Sequence, residues 1–171
     1  MCVIIVKPVG IELPDRNTLE RAAIFNPHGF GFCTGGKLFK TLSFRVFVKE
    51  LYKIDISESC IIHFRYATTG SVKRANCHPF EANGIYFAHN GVINVRTKND
   101  MTDSETFFRD YFIPAVNQYG YNSEILQLFI NSHSGFSRFA MMKNKEISMY
   151  GDFQKFEGCY YSNLRFLNLY Y

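Results

Sequence analysis

Val3-Ile4-Ile5-Val6 is an unbroken β-branched run that starts at the third residue of the chain and stops before Pro8 and Gly10. An apolar run of that length without polar alternation has the pattern of a short strand buried in a sheet, and Pro and Gly end it. The N-terminus is therefore expected to be anchored in a sheet. Cys2 then stands at the end of that strand.

The rest of the chain can be read against this strand. A helix is expected from about Asp15 or Thr18 to Phe25, then a loop at Asn26-Pro27-His28-Gly29. A hairpin should follow, Phe30 to Thr34 and Leu38 to Leu42, turning at Gly35-Gly36, and Phe44 to Ile54 has helical spacing. Cys60 to Tyr66 reads as a second buried strand, and Ile85 to Ala88 with Val92 to Val95 reads as a hairpin around His89-Asn90-Gly91. Thr102-Asp103-Ser104-Glu105 has the form of a capping box, which starts a helix running to about Val116. A further helix is expected over Glu124 to Asn131. Strands are expected at Ser137 to Met142, Glu146 to Tyr150 and Cys159 to Asn163, the first two joined at Lys143-Asn144-Lys145. Strands, then helices, then strands again point to an α+β domain with helices on largely antiparallel sheets. The chain of 171 residues shows no dividing linker and is read as one domain, 1–171.

Composition narrows the function classes. Hydrophobic residues make up 47%, which suits a globular interior. The net charge of +4 is spread along the chain without a dense basic run, so no nucleic-acid partner is expected. No long apolar stretch marks a membrane span, and Met1 to Lys7 lacks the features of a signal peptide, so the expected location is the cytoplasm. Cys2, Cys33, Cys60, Cys77 and Cys159 are odd in number and form no Cys-x-x-Cys pair. They read as free thiols in a reducing compartment, with no metal or other cofactor implied.

Cys2 has a chemical option that internal cysteines lack. Once Met1 is removed, its α-amino group, with a reference pKa of about 7.7–8.0, can serve as the base for its own thiol. Three further segments follow in order: His63-Phe64-Arg65-Tyr66-Ala67-Thr68-Thr69-Gly70, His89-Asn90-Gly91, and Asp103 within Thr102-Asp103-Ser104-Glu105. Together with Cys2 they resemble the glutaminase domain of the class II glutamine amidotransferases, a family of N-terminal nucleophile hydrolases. Weaker likenesses at Gly29-Phe30-Gly31, Asn76-Cys77-His78-Pro79-Phe80 and Tyr160-Tyr161-Ser162-Asn163 extend it over most of the chain.

The resemblance implies a four-layer αββα sandwich of the N-terminal nucleophile hydrolase type, with the Cys2 strand in its central sheets. It implies catalytic roles for Cys2 as nucleophile and for the Asn90 side-chain amide and Gly91 N–H as the oxyanion hole. Arg65 would read the substrate α-carboxylate with Thr68 beside it, and Asp103 the α-ammonium. Each segment also has a plainer reading: a hairpin turn at Asn90-Gly91, a strand-end ion pair at Arg65, a helix-dipole partner at Asp103. His63 and His78 are read as structural. Departures from the family pattern are Val3 where many members have Gly, His28 where an acidic residue is frequent, and Thr69 where some carry His.

The implied activity is hydrolysis of the glutamine side-chain amide through a Cys2 thioester, releasing ammonia. Family enzymes usually fuse this domain to a synthetase. Here either a separate subunit accepts the ammonia or the protein is a stand-alone hydrolase of a γ-glutamyl amide or related small molecule. A binding module with little turnover on the same fold is the alternative from outside enzymes.

Overall fold

The structure is a computed structural model that describes residues 2–98 and 100–167. Its first strand, β1 (Val3–Lys7), is buried along its whole length. Val3 and Ile5 face one apolar cluster while Ile4 and Val6 face another, which is the period-two geometry of a strand covered on both sides.

Helix α1 (Arg16–Phe25) begins where the Asp15 carboxylate accepts the Thr18 N–H at 2.6 Å. It is followed by the hairpin β2 (Phe30–Cys33) and β3 (Leu38–Thr41), by α2 (Phe44–Leu51), and by β4 (Cys60–Phe64). Next come β5 (Phe80–Ala82) and β6 (Ile85–Asn90). Helix α3 (Asp103–Thr106) passes through a π-helical segment, Phe107–Phe112, into α4 (Ile113–Tyr119). Helix α5 (Glu124–Ser134) leads to β7 (Arg138–Lys143), β8 (Glu146–Tyr150), β9 (Gln154–Phe156) and β10 (Cys159–Tyr161).

The strands form a six-stranded sheet in the order β3-β2-β4-β1-β10-β9 and a four-stranded sheet in the order β5-β6-β7-β8. All the pairings within them are antiparallel. Residues of α1 and α2 share a cluster with β1, β2 and β4, whereas the π-helical segment, α4 and α5 pack on β6 and β7. The third cluster, Ile4, Val6, Cys33, Ile61, Ala88, Ala140 and Met142, lies between the two sheets. The order of layers is therefore helices, sheet, sheet, helices, an α+β four-layer sandwich as the resemblance implies. Among the described residues no helix is long and apolar enough to cross a membrane.

One expected element is corrected. Val92 to Val95 forms no strand, and Asn90-Gly91 turns no hairpin. Strand β6 runs on through His89 and Asn90, and pairs with β5 on one side and β7 on the other. The hairpin turn is at Asn83-Gly84, with φ of 53° and 71°, the successive left-handed residues of a tight two-residue connection. Both dipeptides read Asn-Gly, and tertiary pairing decides which one turns the chain. The capping box is half formed: the Thr102 hydroxyl accepts the Glu105 N–H at 3.0 Å, but the Glu105 carboxylate pairs with Arg109 at 2.9 Å.

Ala88 and Ala140 are cross-strand partners, both fully buried in the layer between the sheets. Close-packed interiors resist added volume. Ala140→Leu is expected to destabilise the fold by about 1–3 kcal/mol, read as a lower urea midpoint at unchanged slope.

Candidate active site

Strands β1 and β4 are in register at Val3 and Phe64, so the residue before β1 and the residues after β4 emerge together. That places the Cys2 thiol against the Tyr66 backbone. The Tyr66 N–H donates to Sγ at 3.2 Å, and Sγ lies 3.5 Å from the Tyr66 carbonyl. Burial pushes the Cys2 thiol above its ordinary pKa, opposed by the Tyr66 N–H and the nearby Arg65 charge. A thiol held this way rests protonated at neutral pH and needs a base to become a nucleophile.

Arg65 is 2% exposed and follows β4 directly. Its Nη1 donates to the Ser71 carbonyl at 2.9 Å, and its Nη2 to the carbonyls of Thr69 at 2.9 Å and Gly70 at 3.2 Å. A guanidinium has five N–H donors, so two remain. No ion pair to Arg65 forms among the described residues. The strand-end ion pair is thus absent, and the residue clamps the 69–71 loop instead. Burial lowers its pKa, with the charges of Asp100 and Asp103 acting in the opposite sense.

Arg65, Thr68 and Asp103 line a small recess together with Cys2, Gly91 and His89, with about 20 Å³ of free space. The Asp103 carboxylate accepts the Ile93 N–H at 2.9 Å through one oxygen. Thr68 is exposed at the rim.

Asn90 ends β6, buried, with its Nδ2 donating to the Ser162 hydroxyl at 2.8 Å. One Nδ2 hydrogen remains for another acceptor. Gly91 leaves no room for a side chain: an added Cβ would lie 2.2 Å from the Ser137 Oγ and 2.9 Å from the His89 Nε2. The structure therefore brings Cys2, Asn90, Gly91, Arg65, Thr68 and Asp103 around a common point: all but Asn90 line the small recess, and Asn90 joins Cys2 and Gly91 along an adjoining cavity.

Ser162 and Asn163 had no role in the sequence reading beyond a closing strand. The Ser162 hydroxyl also accepts the Ile4 N–H at 2.9 Å, and the Ser162 N–H donates to the Ile4 carbonyl at 2.9 Å. Asn163 Nδ2 donates to the Cys2 carbonyl at 3.0 Å. The tail thus fixes both the Cys2 strand, across some 160 residues of sequence, and Asn90, contacts that no local pattern announces.

Three buried imidazoles underlie the recess. His63 Nε2–H donates to the His89 carbonyl at 3.2 Å, and its ring packs 4.2 Å from that of His78. His89 Nδ1 bonds the Ser104 hydroxyl at 2.8 Å, while His89 Nε2 and both ring nitrogens of His78 have no partner among the described residues. Burial pushes His63 down to about 3, His89 to about 4, and His78 well below its ordinary value. No group of metal ligands forms among the described residues.

Residues 43–125 match the family described as glutamine amidotransferases class-II. That segment carries Arg65, Thr68, Asn90, Gly91 and Asp103 but not Cys2. Among solved structures, the glutamine phosphoribosylpyrophosphate (PRPP) amidotransferase from B. subtilis, in complex with ADP and GMP, aligns with 94% of this chain at a TM-score of 0.54 and 18% sequence identity. This chain spans 41% of the length of that enzyme. No curated protein sequence matches. At that identity the structural likeness carries the fold alone, the four-layer sandwich. The family match covers just under half of this chain, and the likeness of fold extends over most of it.

The depressed histidines set a pH dependence. In the folded state they stay neutral until well below pH 6.5, whereas in the unfolded chain they take up protons near 6.5. Their contribution to stability is full above about pH 6.5 and is lost as pH falls toward 4. The melting temperature should drop over that window, and His78→Phe, which replaces an unpartnered ring by an apolar one, should flatten the drop without lowering stability at pH 7.

Proposed function

We propose that this domain hydrolyses the side-chain amide of glutamine or of a γ-glutamyl compound, with Cys2 as nucleophile. The observation that carries this reading is the buried guanidinium of Arg65. It has no carboxylate partner among the described residues and lines the same recess as Cys2 and Asp103. A buried cation lacking a counterion is costly, and an α-carboxylate would complete it. Asp103, across the recess, suits an α-ammonium. A substrate held at both charges would direct its side-chain carbonyl toward Cys2.

In the proposed reaction the Cys2 thiolate attacks that carbonyl carbon, and the developing oxyanion takes the spare Asn90 Nδ2–H and the Gly91 N–H. Each such donor is typically worth about 10²–10³ in rate. The α-amine freed by loss of Met1 takes the thiol proton, passes it to the departing amine, and then activates water against the thioester. The buried histidines are poor bases at neutral pH, which favours the amine. Five unpaired cysteines suit a reducing cytoplasm as the location. Transfer of ammonia to a separate synthetase subunit is the form of the reaction in which glutamine itself is the substrate.

Cys2→Ala should abolish glutamate release while leaving the melting temperature near that of the unmodified protein. Intact mass after a glutamine-mimicking electrophile should show one adduct and loss of Met1. Full turnover by the alanine variant would end the nucleophile assignment, and full turnover by a protein that keeps Met1 would place the base elsewhere.

Substrate recognition has its own test. Asp103→Asn and Arg65→Lys are each expected to lower kcat/KM about 10–100-fold, the cost of about 1.5–3 kcal/mol for a charge-assisted bond. Labelling of Cys2 by a small uncharged thiol reagent should survive both. If kcat/KM for glutamine is untouched in both variants, the recess does not read the α-carbon charges.

A further inference from the structure

The Cys2 thiol has open space on two sides, and the second side is much the larger. Beyond the recess that holds Arg65 and Asp103, a cavity of about 730 Å³ opens along Cys2, Asn90 and Gly91. The nucleophile and both oxyanion donors line it. Its wall also carries Val92 and Phe136 as apolar surface and Arg138 and Arg165 as cations. Ammonia needs nothing of this size, and ligand sites for small organic molecules fall in the same range of roughly 300–1,000 Å³.

We propose that this cavity binds the leaving group of the substrate, and that the preferred substrate is a γ-glutamyl amide whose nitrogen carries an apolar body ending in a carboxylate, as in a γ-glutamyl amino acid. The inference rests on the reading of Cys2 as the amide-cleaving nucleophile.

The chemistry of the wall supports each part. Phe136 is 98% exposed, an aromatic ring left uncovered between α5 and β7 at the cavity. Val92 is exposed beside the oxyanion donors. Arg138 is fixed in place: Nε donates to the Asp152 carbonyl at 3.2 Å and Nη1 to the Phe136 carbonyl at 2.8 Å, which leaves Nη2 unbonded to protein among the described residues. Neither Arg138 nor Arg165 has a carboxylate partner among the described residues. Two cations without counterions in the wall of a part-apolar cavity fit an anion on an apolar stem.

The step balances with water as the second reactant. The Sγ–carbonyl bond forms and the carbon–nitrogen bond breaks; the amino-acid nitrogen leaves with the proton given up by the thiol. Water then cleaves the thioester, releasing glutamate and restoring the thiol. The apolar body and its carboxylate lie in the large cavity throughout, so their binding can be spent on orienting the scissile bond.

The test compares glutamine, γ-glutamyl-phenylalanine and γ-glutamyl-anilide as substrates of the processed protein, with glutamate release as the readout. The expected order of kcat/KM is the phenylalanine dipeptide first, the anilide next and glutamine last, with at least tenfold between first and last. Arg165→Ala, which changes an exposed side chain, should shrink the dipeptide-to-glutamine ratio at least fivefold and leave the anilide-to-glutamine ratio near its starting value. Glutamine cleaved as well as or better than the dipeptide would overturn the inference and leave the nucleophile reading standing. An Arg165→Ala ratio unchanged for the dipeptide would overturn the anionic part of it. Cleavage of none of the three, with Cys2 unlabelled by the electrophile, would overturn both readings at once.

Discussion

The Ser162 hydroxyl accepts the Ile4 N–H at 2.9 Å and the Asn90 side-chain amide at 2.8 Å. Ile4 belongs to β1 in the six-stranded sheet and Asn90 ends β6 in the four-stranded sheet, so one oxygen atom ties the two layers together beside the thiol. The geometry between Cys2 and Asn90 depends on this point. Apolar packing between the sheets supplies cohesion but little direction, since methyl and thioether groups slide at small cost. A buried hydroxyl with two donors aimed at it does not slide, because either donor left unpaired would cost about 1–3 kcal/mol. The side chains between the sheets include Ala88, Ala140 and Cys33, small enough for close approach of the layers.

Burial produces the remaining chemistry by acting with different sign on different groups. It raises the thiol of Cys2 and lowers the imidazoles of His63, His78 and His89, so the thiol keeps its proton and the rings stay without theirs. The same dry surroundings lower the pKa of Arg65 without approaching its neutral form, because a guanidinium begins so high. A cation therefore stays charged beside the thiol. Its three bonds to loop carbonyls engage three of its five donors but do not neutralise its charge. Glycine at 31 belongs to the same economy of space: a Cβ there would lie 2.1 Å from the His78 carbonyl, so the backbone carrying the buried histidine crosses β2 where a side chain is absent.

Much of this was legible in the chain. The β1 run, the helix at 16–25, and the strands at 60–64 and 146–150 follow from local periodicity and turn residues, and their ends agree within a few positions. The placement of Cys2, Arg65, Asn90, Gly91 and Asp103 about one point came from resemblance, not from spacing, because they lie on different elements separated by up to about a hundred residues. The misread hairpin shows the limit. Asn83-Gly84 and Asn90-Gly91 carry the same dipeptide seven residues apart, and the difference is made by β7, which lies some fifty residues downstream and holds β6 extended through Asn90. Ser162 was illegible for the same reason: its partners are residues 4 and 90, and a serine after a short strand gives no local sign of either.

In the proposed reaction, the two cavities flanking Cys2 would divide recognition from departure. On the side of Arg65 and Asp103 the free space is about 20 Å³, room for about one water molecule, so a substrate α-carbon would need the bordering 69–71 loop that Arg65 holds to yield. On the other side about 730 Å³ already stands open. A tight side that must rearrange rewards a substrate by its charges, since only paired charges repay the rearrangement. An open side imposes no such demand and selects by how much surface a leaving group can cover. Discrimination among γ-glutamyl amides would then arise almost wholly from the amine, while the common γ-glutamyl part would fix where the carbonyl sits relative to Sγ.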